Sequence, residues 1–301
     1  MTDATLTPAA RGPRRILAVF NPTAGGSRRA RFERVIAALR AQGCAVTVQH
    51  TTARGDAEAI ARALPPGTYD VIAAAGGDGT VNEIANGLTA PDCALGVIPL
   101  GTANVLAREI GLRLAPEPIA RALAEGPVCP VRMGRANGRR FVMMAGIGFD
   151  ANVVHGVSLS LKRRIGPLAY VWQAAKEALG GDFAPLRVTI DGRTHQATSA
   201  VICNGRMYGG PFVAAPAAAL ADDQFHVVLM PGRGWFSVLR YGLALVLGRL
   251  PMLRDVTIVA GRDIVAAGAD GQPVQADGDI ITQTPVHITL DPHPLKLVYP
   301  A

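Results

Sequence analysis

Residues 69–88 constrain the fold of this chain more than any other stretch. Tyr69-Asp70-Val71-Ile72-Ala73-Ala74-Ala75 is short and apolar enough for a buried strand. Gly76-Gly77-Asp78-Gly79 follows, and then Val81, Ile84, Ala85 and Leu88 recur at helical spacing until Gly87 and Pro91 stop the run. The glycines therefore sit on a strand-to-helix turn. They let the backbone take positive φ and approach a ligand closely. N–H groups at the helix start make an anion site there. A lone Asp in such a turn does not hold phosphate by charge. It suits polarising a hydroxyl or touching a phosphate-bound metal ion. By itself the motif also reads as a tight turn with an Asp cap.

Two further turns flank it. Residues 15–20 read as a strand running into Asn21-Pro22-Thr23-Ala24-Gly25-Gly26, where Pro22 stiffens the turn and Gly25 and Gly26 expose N–H groups. Residues 95–99 read as a strand running into Leu100-Gly101-Thr102-Ala103-Asn104. Between and after them, residues 28–42, 56–64, 104–110 and 117–125 are expected as helices and 45–50 as a strand. Phe32, Val35, Ile36 and Leu39 form the apolar face of the helix at 28–42. This alternation predicts a doubly wound parallel sheet with ligand at the C-terminal ends of the strands.

Beyond about residue 126 strand-like segments follow one another: 141–145, 186–190, 198–203, 225–230, 256–260, 264–267 and 286–290. Asp191-Gly192 and Asp270-Gly271 read as hairpin turns. Residues 168–179 and 235–247 interrupt as helices. The expectation is an α/β chain in two domains. A flexible leader (1–13) precedes a Rossmann-like nucleotide-binding domain (14–130, with 291–301 returning to it). A mainly antiparallel β-sandwich (131–290) completes the chain, with an active cleft between the two domains. Gly146-x-Gly148-x-x-Ala151 mimics a dinucleotide fingerprint, but no clean helix follows and no acid stands at the required distance.

Composition narrows the partners. The chain has 301 residues, 49% hydrophobic and 18% charged, with a net charge of +7. That balance describes a globular chain with an anionic partner. Aromatics are only 5% and interleave with no basic run, which argues against nucleic acid. Cys44, Cys93, Cys129 and Cys203 are widely spaced, so neither a thiolate metal site nor a disulfide framework is indicated, in keeping with a cytoplasmic protein. No apolar run is long enough for a transmembrane segment. Lys162-Arg163-Arg164 before residues 168–179, and residues 233–249 with Trp235 and Phe236, place basic residues beside apolar helices. Each reads either as a core helix with a solvated basic flank or as a helix resting on an anionic bilayer.

The ordered trio NPTAGG, GGDGTVNE and PLGTAN resembles the diacylglycerol-kinase catalytic-domain family, which includes bacterial lipid kinases and sphingosine and ceramide kinases. The echoes Gly146-Ile147-Gly148-Phe149-Asp150, Cys203-Asn204-Gly205 and Asp277-Gly278-Asp279 extend the resemblance over residues 14–301. It implies an ATP- and Mg²⁺-dependent kinase that passes the γ-phosphoryl group to a lipid hydroxyl. The lipid partner would be met at a membrane surface, peripherally at the inner face, with a homodimer left open.

By the same resemblance Asn21, Pro22, Thr23, Ala24, Gly25, Thr51, Gly76, Gly77, Asp78, Gly79, Thr80, Val81, Asn82 and Thr102 line the nucleotide site. Asp222 binds Mg²⁺, helped by backbone carbonyls of Ala219 and Gln224. The catalytic base is Asp279 or Asp78. This sequence has Asp223 where the family has Gly, and Asp279 where it has Glu; Asp223 also adds a carboxylate to the turn. Three alternatives remain open at this stage: an NAD kinase, an inactive nucleotide-binding regulator and a dinucleotide-dependent oxidoreductase.

Overall fold

A computed structural model describes residues 12–22, 25–148, 151, 184–268 and 271–300, with residues 25–27 described by their backbone alone. The chain divides into two compact units, Met1–Val131 with His293–Ala301, and Arg132–Pro292. Residues 1–11 of the expected leader, the helix at 168–179 with Lys162-Arg163-Arg164 before it, Phe149-Asp150 and the Asp270 turn position lie outside the described residues.

The first unit is built on a six-stranded sheet. Its strands are β1 (Arg15–Phe20), β2 (Ala45–His50), β3 (Val71–Gly76), β4 (Ala94–Pro99), β5 (Val128–Val131) and β20 (Leu295–Val298), in the order β2-β1-β3-β4-β20-β5. β1 to β4 run parallel, and β20 pairs parallel with β4 and antiparallel with β5. β3 and β4 are buried at every residue, as a central parallel strand must be when helices cover both faces.

The helices are α1 (Gly25–Ala41), α2 (Asp56–Arg62), α3 (Asp78–Gly87), α4 (Val105–Glu109) and α5 (Pro116–Glu125). α1 packs on α5, and α2 on α3. Phe32, Val35, Ile36 and Leu39 of α1 are buried, the face expected from their spacing. The chain leaves β1 in one direction and returns to β3 on its other side. The winding therefore reverses between β1 and β3, and the crevice at that switch point is where an open α/β sheet takes ligand.

The second unit carries two antiparallel six-stranded sheets. One has the order β10-β9-β16-β19-β6-β7 and the other β15-β14-β11-β8-β17-β18. The first sheet is formed by β6 (Gly134–Ala136), β7 (Arg139–Phe141), β9 (Leu186–Ile190), β10 (Arg193–Ala197), β16 (Asp263–Ala267) and β19 (Val286–Leu290). The second is formed by β8 (Met144–Gly148), β11 (Ser199–Cys203), β14 (Phe225–Met230), β15 (Thr257–Gly261), β17 (Pro273–Ala276) and β18 (Asp279–Gln283). A short ribbon of β12 (Met207–Tyr208) and β13 (Phe212–Val213) stands apart.

Their inner faces share one core that includes Phe141, Phe225, Ile147, Ile202, Val188 and Ile288. Three hairpins turn on two residues, both at positive φ: Asn137-Gly138, Asp191-Gly192 and Asp277-Gly278. Asn or Asp before Gly is the pair such turns demand, because the twist of the turn then matches that of the strands.

One sequence expectation changes here. Residues 141–145 do not form one strand. β7 ends at Phe141 and β8 begins at Met144, because the chain passes from one sheet to the other at Val142-Met143. The pairing of β8 agrees with the sequence argument against a dinucleotide fingerprint at Gly146–Ala151. β8 pairs antiparallel with β11 and β17, so Gly148 follows no βαβ strand. A Cβ at Gly148 would stand 2.3 Å from the Thr198 carbonyl oxygen, and the residue has φ of +80°. Glycine is there for strand packing and backbone conformation.

α6 (Gly234–Val246) follows β14 and is held from one side. The Tyr241 hydroxyl donates to Asp255 Oδ2 at 2.6 Å and accepts from the Gly232 N–H at 2.9 Å. The Arg240 guanidinium spans both Asp255 oxygens. These bonds, Arg240 first, hold the Asp255 carboxyl down at about 2, while burial pushes the Tyr241 hydroxyl up to about 12. The unfolded Asp titrates near about 3.9. A depressed carboxyl stabilises the fold above that value and loses the contribution as pH falls through its folded pKa. The urea midpoint of the wild type is therefore expected to fall more steeply between pH 4 and pH 2 than that of Asp255→Asn. Equal slopes in equilibrium unfolding would refute this anchor.

Candidate functional site

At the C-terminal ends of β1, β3 and β4 the three glycine-bearing turns meet. The Asn21 N–H donates to the Ala75 carbonyl at 3.0 Å, and Asn21 Nδ2 approaches Thr80 Oγ1 at 3.5 Å across the switch point. The Leu100 N–H donates to the Gly76 carbonyl at 2.8 Å. Gly77 and Gly101 then pack backbone to backbone. A Cβ on Gly101 would fall 2.6 Å from the Gly77 Cα and 2.8 Å from Asn104 Oδ1.

Asn104 clasps its own turn, with Oδ1 accepting from the Gly101 N–H at 2.8 Å and Nδ2 donating to the Gly101 carbonyl at 2.9 Å. It ends in the left-handed region at φ of +48°, so α4 begins one residue later than expected. Asn tolerates that conformation better than most residues do.

Asp78 joins the second turn to the third. Its Oδ1 accepts the Val105 N–H at 2.6 Å. Burial pushes the Asp78 carboxyl up from the ordinary range, opposed by N–H donation from Val105, Asn104 and Leu106 and from its own backbone. Glu83, one turn further along α3, accepts from the Gly55 and Ala57 N–H groups at 3.0 and 3.2 Å and so fixes the segment after Thr51. Asn21, Pro22, Gly77, Asp78, Gly79 and Thr102 reach the surface, while Thr51, Gly76, Thr80, Val81 and Asn82 are buried. Gly79 is exposed, with open space where a side chain would stand. Gly25 opens α1. Thr23 and Ala24 lie outside the described residues.

Ala219, Asp222, Gln224 and Asp279 belong to the second unit. The Asp222 N–H donates to the Ala219 carbonyl at 2.9 Å, closing a turn on which Ala219 and Gln224 are exposed and Asp222 is half-buried. Asp222 lies 4.0 Å from His226 Nε2. Asp223 does not extend this set as its extra carboxylate suggested, because Arg132 holds it at 2.7 Å. Its φ lies outside the left-handed region, so the turn does not need the glycine that the family resemblance led one to expect there.

Asp279 opens β18, half-buried, directly after the Asp277-Gly278 turn. Asp277, to which the sequence reading gave no separate role, accepts the N–H groups of Val142, Met143 and Met144 at 2.7, 2.9 and 3.1 Å. Asn204 links the two turns. Buried at 1% exposure, it donates through Nδ2 to the carbonyls of Arg132 at 2.8 Å and Val142 at 2.7 Å. The Arg132 N–H in turn donates to the Leu220 carbonyl at 2.7 Å. A connected path therefore runs from the Ala219–Asp222 turn through Asn204 to the turn before Asp279. The only sequence signals for it were the short Cys203-Asn204-Gly205 and Asp277-Gly278-Asp279 patterns.

A doubly wound sheet with three glycine-bearing turns at its switch point, followed by an antiparallel β-sandwich, is an architecture suited to holding a nucleotide's phosphates. Residues 15–136 match the diacylglycerol kinase catalytic domain, and residues 143–299 match the YegS C-terminal NAD kinase beta sandwich-like domain. The chain belongs to this diacylglycerol-kinase-like, YegS-like lipid kinase family.

It is 30% identical to the diacylglycerol kinase of Bacillus subtilis over 220 residues, 70% of this chain and 72% of the relative. A Pseudomonas putida protein named "Probable lipid kinase YegS-like" is 34% identical over 248 residues, 79% of this chain and 82% of that one. The crystal structure of a diacylglycerol kinase from Bacillus anthracis shares the fold, with a TM-score of 0.76 at 23% identity, covering 95% of this chain and 97% of that one.

Gly101→Ala is expected to cost about 1–3 kcal/mol, since backbone rather than a flexible side chain meets the new methyl. It should also weaken nucleotide binding. Thermal unfolding and nucleotide titration check both, and an unchanged protein would contradict the contact. Asn204→Ala is expected to cost at least about 1–3 kcal/mol for the two carbonyls left unpaired. The amides of Val142 and Met143 should then exchange faster with solvent, and hydrogen exchange that stays slow there would refute the link.

Proposed function

We propose that this protein transfers the γ-phosphoryl group of ATP to the hydroxyl of a lipid alcohol such as diacylglycerol or a sphingoid-type lipid. One observation carries the reading. The Gly76–Thr80 and Gly101–Val105 turns are locked together beside Asn21 at the switch point of the sheet, in a chain of the lipid kinase family. Backbone N–H groups and an open glycine at such a place suit a polyphosphate. Thr102 and Asn21 stand at the surface beside them.

The lipid hydroxyl oxygen bonds to the γ-phosphorus as the bond to the β–γ bridging oxygen breaks, and ADP leaves with that electron pair. Asp279 takes the hydroxyl proton. Asp78 is assigned to positioning, because its carboxylate already receives the N–H groups of the Gly101–Val105 turn. That leaves Asp279 the better candidate for the base, a role that requires it to come within hydrogen-bond reach of the hydroxyl.

The Asp222 carboxylate and the Ala219 and Gln224 carbonyls are hard-oxygen donors close in sequence, and the Ala219 carbonyl keeps a lone pair beyond its bond to Asp222 N–H. Such a set fits Mg²⁺, which keeps several of its waters and would neutralise phosphate charge when bound. Arg132 confines Asp223, so that acid is not among the ligands.

The four cysteines are free thiols, and among the described residues no helix is long and apolar enough to cross a membrane. A peripheral enzyme acting from the cytoplasmic side is the localisation that goes with the proposed lipid acceptor.

The test is transfer of labelled γ-phosphate from Mg²⁺·ATP into lipid alcohols in mixed micelles. Asp279→Asn is expected to lower kcat by about 10²–10⁴ with nucleotide binding retained. Asp78→Asn should lower stability and turnover together. If ATP binds and no lipid alcohol is labelled, the protein is a nucleotide-binding regulator and the catalytic reading fails.

A further inference from the structure

We infer that α6 and the turn after it form a docking surface for an anionic lipid bilayer. Trp235, Phe236, Leu239, Leu243 and Val246 of α6 are each more than half exposed, as are Leu247 at its end and Met252 in the 3₁₀ turn Leu250–Met252. At about 100° per residue the first five of these and Leu247 fall within an arc of roughly 120°. The opposite side holds Tyr241 and Ala244, which are buried, and the Tyr241–Asp255 bond, while Arg240 pairs with the same Asp255 from the border of the stripe. The helix is therefore tied down by its polar back and turns its apolar stripe outward. A stripe of this size is far more than the scattered apolar residues of an ordinary surface.

Charge selects the occupant. No acidic residue stands between Asp223 and Asp255, a stretch that carries Arg233, Arg240, Arg249 and Arg254. Asp255 answers Arg240. Arg233, Arg249 and Arg254 are exposed at the two ends of the stripe and form no ion pair among the described residues. An apolar face flanked within its own segment by exposed arginines, with an indole and a phenyl ring side by side at one end, suits an interface of acyl chains and anionic headgroups. At 13 residues the helix is about 20 Å long, so it lies in that interface and does not cross it.

The inference extends the lipid-kinase reading by naming where the surface that carries the acceptor is met, and it rests on that reading for the choice of lipid as partner. Binding is therefore measured without nucleotide or turnover. The full chain is mixed with vesicles of phosphatidylcholine, or of phosphatidylcholine with phosphatidylglycerol, and followed by co-sedimentation. Trp172→Phe leaves Trp235 as the single reporter, since the chain has two tryptophans.

The expected result is a blue shift of Trp235 emission and co-sedimentation on anionic vesicles, weakened by salt. Phe236→Ser/Leu239→Ser/Leu243→Ser should lower partition roughly a hundredfold. Arg233→Gln/Arg249→Gln/Arg254→Gln should lower it by a similar factor on anionic vesicles only. Both variants change exposed side chains, and an unchanged urea midpoint verifies that they fold.

Either variant binding anionic vesicles like the wild type, or no Trp235 shift on them, overturns the proposal. So does a dimer in light scattering that the serine variant dissociates while vesicle binding is unaltered, because the face would then belong to a second copy. Vesicle binding that fails in both variants, in a protein that labels no lipid, supports the docking face and removes the kinase reading alone.

Discussion

The hydrogen bond from the Val105 N–H to Asp78 is the constraint on which the nucleotide-type site of this chain depends. Three parallel strands deliver three turns to one edge of the sheet, but parallel pairing alone leaves the turns independent. Asp78 reaches across 27 residues of sequence and binds the start of α4. Gly77 and Gly101 let the two backbones come close enough for that bond to form. Burial raises the energy of the carboxylate and the surrounding N–H groups offset it. An acid used in this way stiffens a site, and a stiff array of N–H groups is what electrostatic stabilisation of a phosphoryl group requires.

The second unit solves a similar problem with a buried amide. Two turns that carry candidate site residues belong to different parts of a sandwich whose core is apolar. Asn204 sits between them and spends both of its amide hydrogens on backbone carbonyls, one from each side. A buried amide is worth its desolvation only where its bonds are made, so it specifies one geometry rather than adding bulk stability. Asp277 does the same at the sheet-to-sheet crossing, where three N–H groups would otherwise have no strand partner. The acid that follows it, Asp279, is thereby held at the start of a strand rather than on a loose loop.

Local pattern determined much of this molecule. The glycine turns, the strand–helix alternation of the first unit and the apolar face of α1 all follow from periodicity and from which residues accept positive φ, and these are properties of neighbours in sequence. The hairpins at Asn137, Asp191 and Asp277 have the same origin. Sequence by itself also carried the family, because three motifs in one order are specific even where each is not.

Tertiary structure alone decided the division of labour among like residues. Asp78 is a clamp, Asp277 a strut and Asp223 the partner of Arg132, roles distinct from the chemistry proposed for Asp222 and Asp279. In sequence these are five acids in turns, and their roles separate only through partners 27 to 135 residues away or across a sheet. The apolar helix at 235–247 was equally undecided, since a core face and a bilayer face have the same period. Its direction was settled by Asp255, which binds Arg240 and Tyr241 from behind and leaves the tryptophan, phenylalanine and leucines turned to the outside.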